Sequence, residues 1–110
     1  MKYIYIAGPL SRGDVAKNVR NAMNVADQLI YYGYVPYLPH LSHFLHLVHP
    51  QEYETWLMID LAWLDRCDAL IRLSGLSEGA DREVEYAVAN EIPIFGCIED
   101  LITKREIILP

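Results

Sequence analysis

The chain is poor in cysteine, poor in basic residues and without a long apolar run, and each shortage removes a class of protein. Two cysteines in 110 residues, Cys67 and Cys97, are too few for a disulfide scaffold. Set in apolar surroundings, Cys67 before a strand and Cys97 inside one, they read as buried, reduced thiols. Nine Lys and Arg against fifteen Asp and Glu leave a formal net charge of −6. That charge repels phosphate backbones and anionic bilayers, so neither a nucleic-acid polymer nor a membrane is the expected partner. One small anion is still admitted, because a local cluster of donors can hold a phosphate. The longest apolar-dominated stretch, Trp56 to Leu64, is broken by Asp60 and is too short to cross a bilayer. A lone Lys2 and the short run Tyr3 to Ala7 do not make a signal peptide, which predicts a cytoplasmic protein. The first loop, Ala7 to Gly13, lacks both G-x-G-x-x-G and G-x-x-x-x-G-K-[ST], so neither NAD nor ATP is suggested and no cofactor is expected. An acidic pair after the first strand is also missing, so a phosphoacceptor receiver domain does not fit.

What is present is a packed composition, 53% apolar and 22% charged. A second core would need roughly another hundred residues, so residues 1–110 are read as one domain. Lys2 to Ala7 is a strand buried on both faces and closed by Gly8-Pro9. From Asp14 to Tyr32, Val15, Val19, Ala22, Met23, Ala26, Leu29 and Ile30 form a helical stripe, with Asp14 as N-cap and Gly33 just past the end. Tyr34 to Leu38 is a strand that Pro36 confines to a sheet edge. A loop follows from Pro39 to about Pro50. Then come a helix from about Gln51 to Arg66, a strand Asp68 to Leu73, a loop Ser74 to Gly79, a helix Ala80 to Asn90 and a strand Ile92 to Cys97. The tail, Glu99 to Ile107, fits a last helix or a helix followed by a strand. Strands alternating with helices at this spacing predict an α/β fold, a doubly wound parallel sheet in a flavodoxin-like or Rossmann-like three-layer sandwich with strand order 2-1-3-4. Ligands of such sheets bind beyond the carboxyl ends of the strands. The loops Gly8 to Gly13, Pro39 to Phe44 and Ser74 to Glu83 meet there.

In the third loop, Ser77 and Gly79 precede a helix and offer a hydroxyl and free N–H groups to an anion. Glu83 leans back toward the same cleft, and the dipole would keep it ionised, as a nucleophile needs. The plainer reading is that Ser77 caps the helix and Glu83 complements its dipole. Asp60 stands in the otherwise apolar stretch Trp56 to Leu64, so at least part of that helix is read as buried all round, where a carboxylate needs a partner, whether a structural Arg or cap or a substrate. Two carboxylates in one cleft suit cleavage of a glycosidic bond. His40, His43, His46 and His49 recur every third position. They are weighed as metal ligands, but Pro39 and Pro50 and the drift of the outer pair argue against a metal. His40 and His43 can face the cleft, whereas His46 and His49 are read as solvated. In the first loop Gly8 lets a ligand approach, Ser11 and Arg12 reach toward phosphate, and Tyr5 either packs on a base or sugar or is plain core.

Several motifs coincide. Tyr3-Ile4-Tyr5-Ile6-Ala7-Gly8-Pro9, Pro39-His40-Leu41, Asp60-Leu61-Ala62-Trp63-Leu64 with Cys67-Asp68-Ala69-Leu70, and Ser77-x-Gly79 with Glu83 and Ala87 together resemble the nucleoside 2-deoxyribosyltransferase superfamily. The resemblance is to its short members, and the chain is also similar to the 2′-deoxynucleoside 5′-phosphate N-hydrolases. It implies that Glu83 attacks the anomeric carbon, that Asp60 orients the sugar or assists proton transfer, that Ser77 contacts a 5′-phosphate and that Tyr5 lines the pocket. It further implies that a nucleoside or nucleotide is the substrate, that water or another base accepts the sugar, and that no metal is needed. A homodimer or higher homo-oligomer is implied, in which a neighbouring subunit closes the site. Trp56, Trp63 and the apolar helix around them fit either that interface or ordinary core. Pro9 and Ser11 replace the Ser and Arg of the hydrolase branch, so phosphate recognition by the first loop would rest on Arg12. Val84-Glu85 follows Glu83 where those branches have Leu-Gly. The reading is an N-glycosidic bond-cleaving enzyme; the alternative is a non-catalytic nucleotide-binding module of the same fold.

Overall fold

A computed structural model describes residues 2–108. The chain runs β1 (Tyr3–Ala7), α1 (Val15–Tyr31), β2 (Val35–Tyr37), a 3-10 turn (Pro39–Leu41), α2 (Ser42–Val48), α3 (Tyr53–Leu64), β3 (Ala69–Arg72), α4 (Glu78–Ala89), β4 (Ile94–Phe95) and α5 (Ile98–Ile108). The four strands form one all-parallel sheet in the order β2-β1-β3-β4. Period-2 alternation along β1 builds the two cores. Ile4 and Ile6 pack with Ala22, Ala26 and Leu29 of α1 and Leu101 of α5, while Tyr5 and Ala7 pack on the other face with Leu64 of α3 and Ala80 and Ala87 of α4. β1 is therefore covered on both sides, as its unbroken apolar run requires.

Local signals placed α1 within a residue at each end. Asp14 accepts the Lys17 N–H at 3.2 Å, and the chain turns at Gly33, whose N–H reaches the Ile30 carbonyl at 3.0 Å. β2 lies at the sheet edge, where Pro36, paired with Ile4, leaves no central ladder short of a donor.

Four expectations change. The segment 39–50 is a 3-10 turn and the helix α2 rather than a loop, since between Pro39 and Pro50 no residue breaks a helix. The last strand contracts to Ile94–Phe95; it is a sheet edge paired only with β3, and Pro93 contributes a carbonyl to Leu70 but no donor. Cys97 consequently precedes α5, and both thiols are free and half-buried. Finally, α3 is not buried all round: Leu57 and Leu64 are in the core, but Met58 (71% exposed) and Trp63 (50%) face out of the chain. Among the described residues no helix is long and apolar enough to cross a membrane.

Candidate active site

Strand order reverses between β1 and β3, and the carboxyl ends of these strands open onto a cleft of about 680 Å³. This is the crevice that doubly wound sheets use for ligands. All but one of the residues singled out from the sequence line it: Gly8, Ser11 and Arg12 after β1, His40 and His43 after β2, Asp60 on α3, and Ser77, Gly79 and Glu83 on α4 and its cap. The exception is Tyr5. It does not line the cleft but lies in the core at 0% exposure, and its hydroxyl donates to Glu83 Oε2. A tyrosine at the third position of a central strand is carried inward by the pleat, so its contact with the cleft runs through the glutamate.

Glu83 is itself 5% exposed. Because the Ser77 hydroxyl accepts the Ala80 N–H at 3.1 Å, α4 starts at Glu78, two residues before the apolar stripe suggests. Glu83 then falls in the second turn, beyond the reach of the dipole that was expected to keep it ionised. Burial decides instead and pushes its carboxyl from the ordinary 4.5 up to about 8, with the neighbouring Asp60 adding to the rise. The Tyr5 hydrogen bond and the charge of Arg72 oppose that rise without cancelling it. The Ser77 oxygen is taken as an acceptor by the cap, at the wall of the cleft.

Asp60 is raised by burial to about 7. Its Oδ1 is buried with no hydrogen-bond partner among the described residues, so the arginine or backbone cap of a purely structural carboxylate is missing at this oxygen. The same holds for one nitrogen of His40, which is 2% exposed: Nε2 donates to the Pro9 carbonyl at 3.1 Å, and Nδ1 is buried without a partner. Burial lowers the pKa of His40, favouring the neutral ring. Buried polar atoms are ordinarily satisfied, and these two unpartnered atoms belong to residues that line one cleft.

His46 is not solvated as expected. It is half-buried in the cleft wall, where Nδ1 accepts the Trp56 indole N–H at 2.8 Å and the Gln51 backbone N–H at 3.2 Å. His43 meets Phe44 edge-on at 6.1 Å between ring centroids, and His49 is exposed. The histidine series thus splits among separate partners, and no group of three or more His, Cys, Asp or Glu converges as a metal site among the described residues.

The loop ends are held by close packing. A side chain at Gly8 would come within 2.9 Å of Leu73, and one at Gly75, where φ is +114°, within 2.8 Å of Pro9. The tight approach at Gly8 is therefore to the β3–α4 loop. Asn18 donates to the Leu10 and Arg12 carbonyls at 2.9 and 2.8 Å, pinning the first loop to α1 while leaving the Arg12 side chain exposed. Two residues escaped the sequence reading. Tyr37 lies 5.5 Å from Tyr5 and stacks on Trp63 at 5.2 Å, and burial together with Asp60 and Glu83 pushes its hydroxyl up to about 12. Nothing in Tyr34 to Leu38 signals this. Arg72 did carry a signal, as the one charge inside the apolar strand Ala69–Arg72.

The backbone is similar to two solved structures. One is a 2-deoxyribosyltransferase from the psychrotolerant bacterium Bacillus psychrosaccharolyticus, 16% identical with a TM-score of 0.65 over 84% of this chain and 69% of that one. The other is a 2-deoxyribosyltransferase from Leishmania mexicana, 22% identical with a TM-score of 0.65 over 86% of this chain and 63% of that one. The likeness is one of fold, and the chain spans about two thirds of the length of these enzymes. No curated protein matches the sequence. A family model described as a domain of unknown function, DUF7768, matches residues 2–96, and the chain belongs to that family.

Proposed function

We propose that the chain is an enzyme that cleaves the N-glycosidic bond of a nucleoside or deoxynucleoside, or of its 5′-monophosphate, and passes the sugar to water or to another base. The observation that carries this reading is the pair of carboxylates on one cleft, buried Glu83 tied to Tyr5 and half-buried Asp60 with an unpartnered oxygen. Tyr5 occupies Oε2, leaving Oε1 to attack the anomeric carbon as the bond to the base breaks. Asp60, near-neutral by burial, delivers a proton to the departing base or holds a sugar hydroxyl. The resulting glycosyl ester on Glu83 is then cleaved by water or by the ring nitrogen of an incoming base, which restores the carboxylate. His40 and His43 line the substrate, and Ser77, Gly79, Ser11 and Arg12 supply donors for a 5′-phosphate. Neither cofactor nor metal takes part.

The described fold leaves Phe44, Leu47, Met58 and Trp63 exposed on α2 and α3. In the proposed assembly, a homodimer or larger homo-oligomer of this single domain, a second copy covers that surface and roofs the cleft.

Incubation with a panel of nucleosides and 5′-monophosphates, with and without an acceptor base, is expected to yield free or exchanged base on chromatography. Equal yields from wild type and Glu83→Ala overturn the enzymatic reading; binding without turnover leaves the nucleotide-binding module. A 2-fluoro-sugar substrate is expected to add one glycosyl mass to Glu83.

A further inference from the structure

We propose that Arg72 is a positioning residue for Glu83, clamping the β3–α4 loop against the start of α4. The inference rests on the reading of Glu83 as nucleophile. Arg72 closes β3 and is only 20% exposed along its side chain. Its Nη1 donates to the Leu73 carbonyl, and its Nη2 donates to the Gly75 carbonyl at 2.9 Å and to Asp81 Oδ1 at 3.1 Å. One guanidinium thus ties together the strand end, the left-handed residue Gly75 and the first turn of the helix that carries Glu83. A planar fork suits three acceptors in fixed directions, which an ammonium group does not reproduce. Asp81 is 67% exposed, so the anchoring rests mainly on the two carbonyls.

The loop so held ends in Ser77, the cap of α4, and presses Gly75 against Pro9 of the facing loop. Releasing it would loosen both rims of the cleft and the register of Glu83 between them. The charge of Arg72 supports the same role. The groups bearing on Glu83 are Tyr5 from β1, Tyr37 from β2, Asp60 from α3 and Arg72 from β3. Of these, Arg72 is the cation, and it pulls the carboxyl toward ionisation against burial and Asp60. A nucleophile in an apolar floor needs such a counterweight to be available near neutral pH.

The test follows the Glu83 carboxyl by carbon-13 NMR across a pH series, without substrate, in the whole chain. Arg72→Met and Arg72→Gln remove the charge, Gln keeping amide donors for the loop carbonyls in case the Met variant fails to fold. Both are expected to move the titration midpoint up, whereas Arg72→Lys leaves it near wild type. A Gln variant at the wild-type midpoint, or a Lys variant shifted as far as Gln, overturns the charge role. For the clamp, Arg72→Lys is expected to raise KM for the cleaved nucleotide several-fold, and unchanged KM overturns it. The NMR readout needs no turnover, so a wild type that titrates as expected but cleaves nothing sinks the enzymatic reading and leaves the electrostatic one intact.

Discussion

The hydroxyl of Tyr5, on the central strand, donates to Oε2 of Glu83, on the second turn of α4, inside the core of the chain. This hydrogen bond crosses from the sheet to the helix layer and favours the charged form of a carboxylate that burial otherwise neutralises. Tyr5→Phe keeps the ring packing and removes the donor. The variant is expected to lose about 1–3 kcal/mol of stability, the cost of stripping a buried polar group of its partner, as measured by urea denaturation. It should also raise the pH at which Glu83 ionises.

Activity should follow that ionisation. With Glu83 at about 8, kcat/KM for base release is expected to rise with pH through that value. Asp60→Asn removes a like charge and moves the midpoint down, opposite to Tyr5→Phe. The same substitution should slow turnover by about 10²–10⁴-fold if Asp60 transfers the proton. A pH–rate profile that moves in the same direction for both variants would contradict the assigned environment.

Stability should run the other way. Both carboxyls are raised in the folded chain, Glu83 from 4.5 to about 8 and Asp60 from 3.8 to about 7, so between those limits the native state holds more protons than the unfolded one. Stability is then greatest on the acid side of the window and falls as pH rises toward 8. Denaturation midpoints measured from pH 5 to 8 should show the decline, and Glu83→Gln should flatten it.

Gly75 offers a backbone test. At φ +114° and 2.8 Å from Pro9 for any added Cβ, Gly75→Ala is expected to cost about 1–3 kcal/mol in a thermal or urea melt. Gly13, also at positive φ but with open space around it, should cost less.

The exposed apolar residues of α2 and α3 lead to a prediction about assembly. Met58 and Phe44, at 71% and 56% exposure, contribute nothing to the described core. Met58→Lys with Phe44→Lys should leave the fold intact by circular dichroism and reduce the sedimentation coefficient to that of a single chain. An unchanged coefficient, or a wild type that already sediments as a single chain, would overturn the proposed interface.

Most elements and their layering could be read along the chain, α2 and the length of β4 excepted. Strand and helix periods are local properties, so the burial of β1 on both faces, the cap at Asp14 and the edge position set by Pro36 were all legible along the chain. The sequence also marked Glu83, Asp60, Ser77 and His40 as chemistry-bearing positions that the fold brings to one cleft. Their states depend on packing. Whether Glu83 is held charged or neutral depends on how much of the cleft floor is walled off by β1 and α3, not on its distance from a helix end. That Asp60 Oδ1 lacks a partner among the described residues, that Tyr5 reaches the cleft only through Glu83, and that His46 is locked by Trp56 are facts of packing between separate elements. Proton affinity and hydrogen-bond supply are set by what the rest of the chain brings near a group, which no local pattern records.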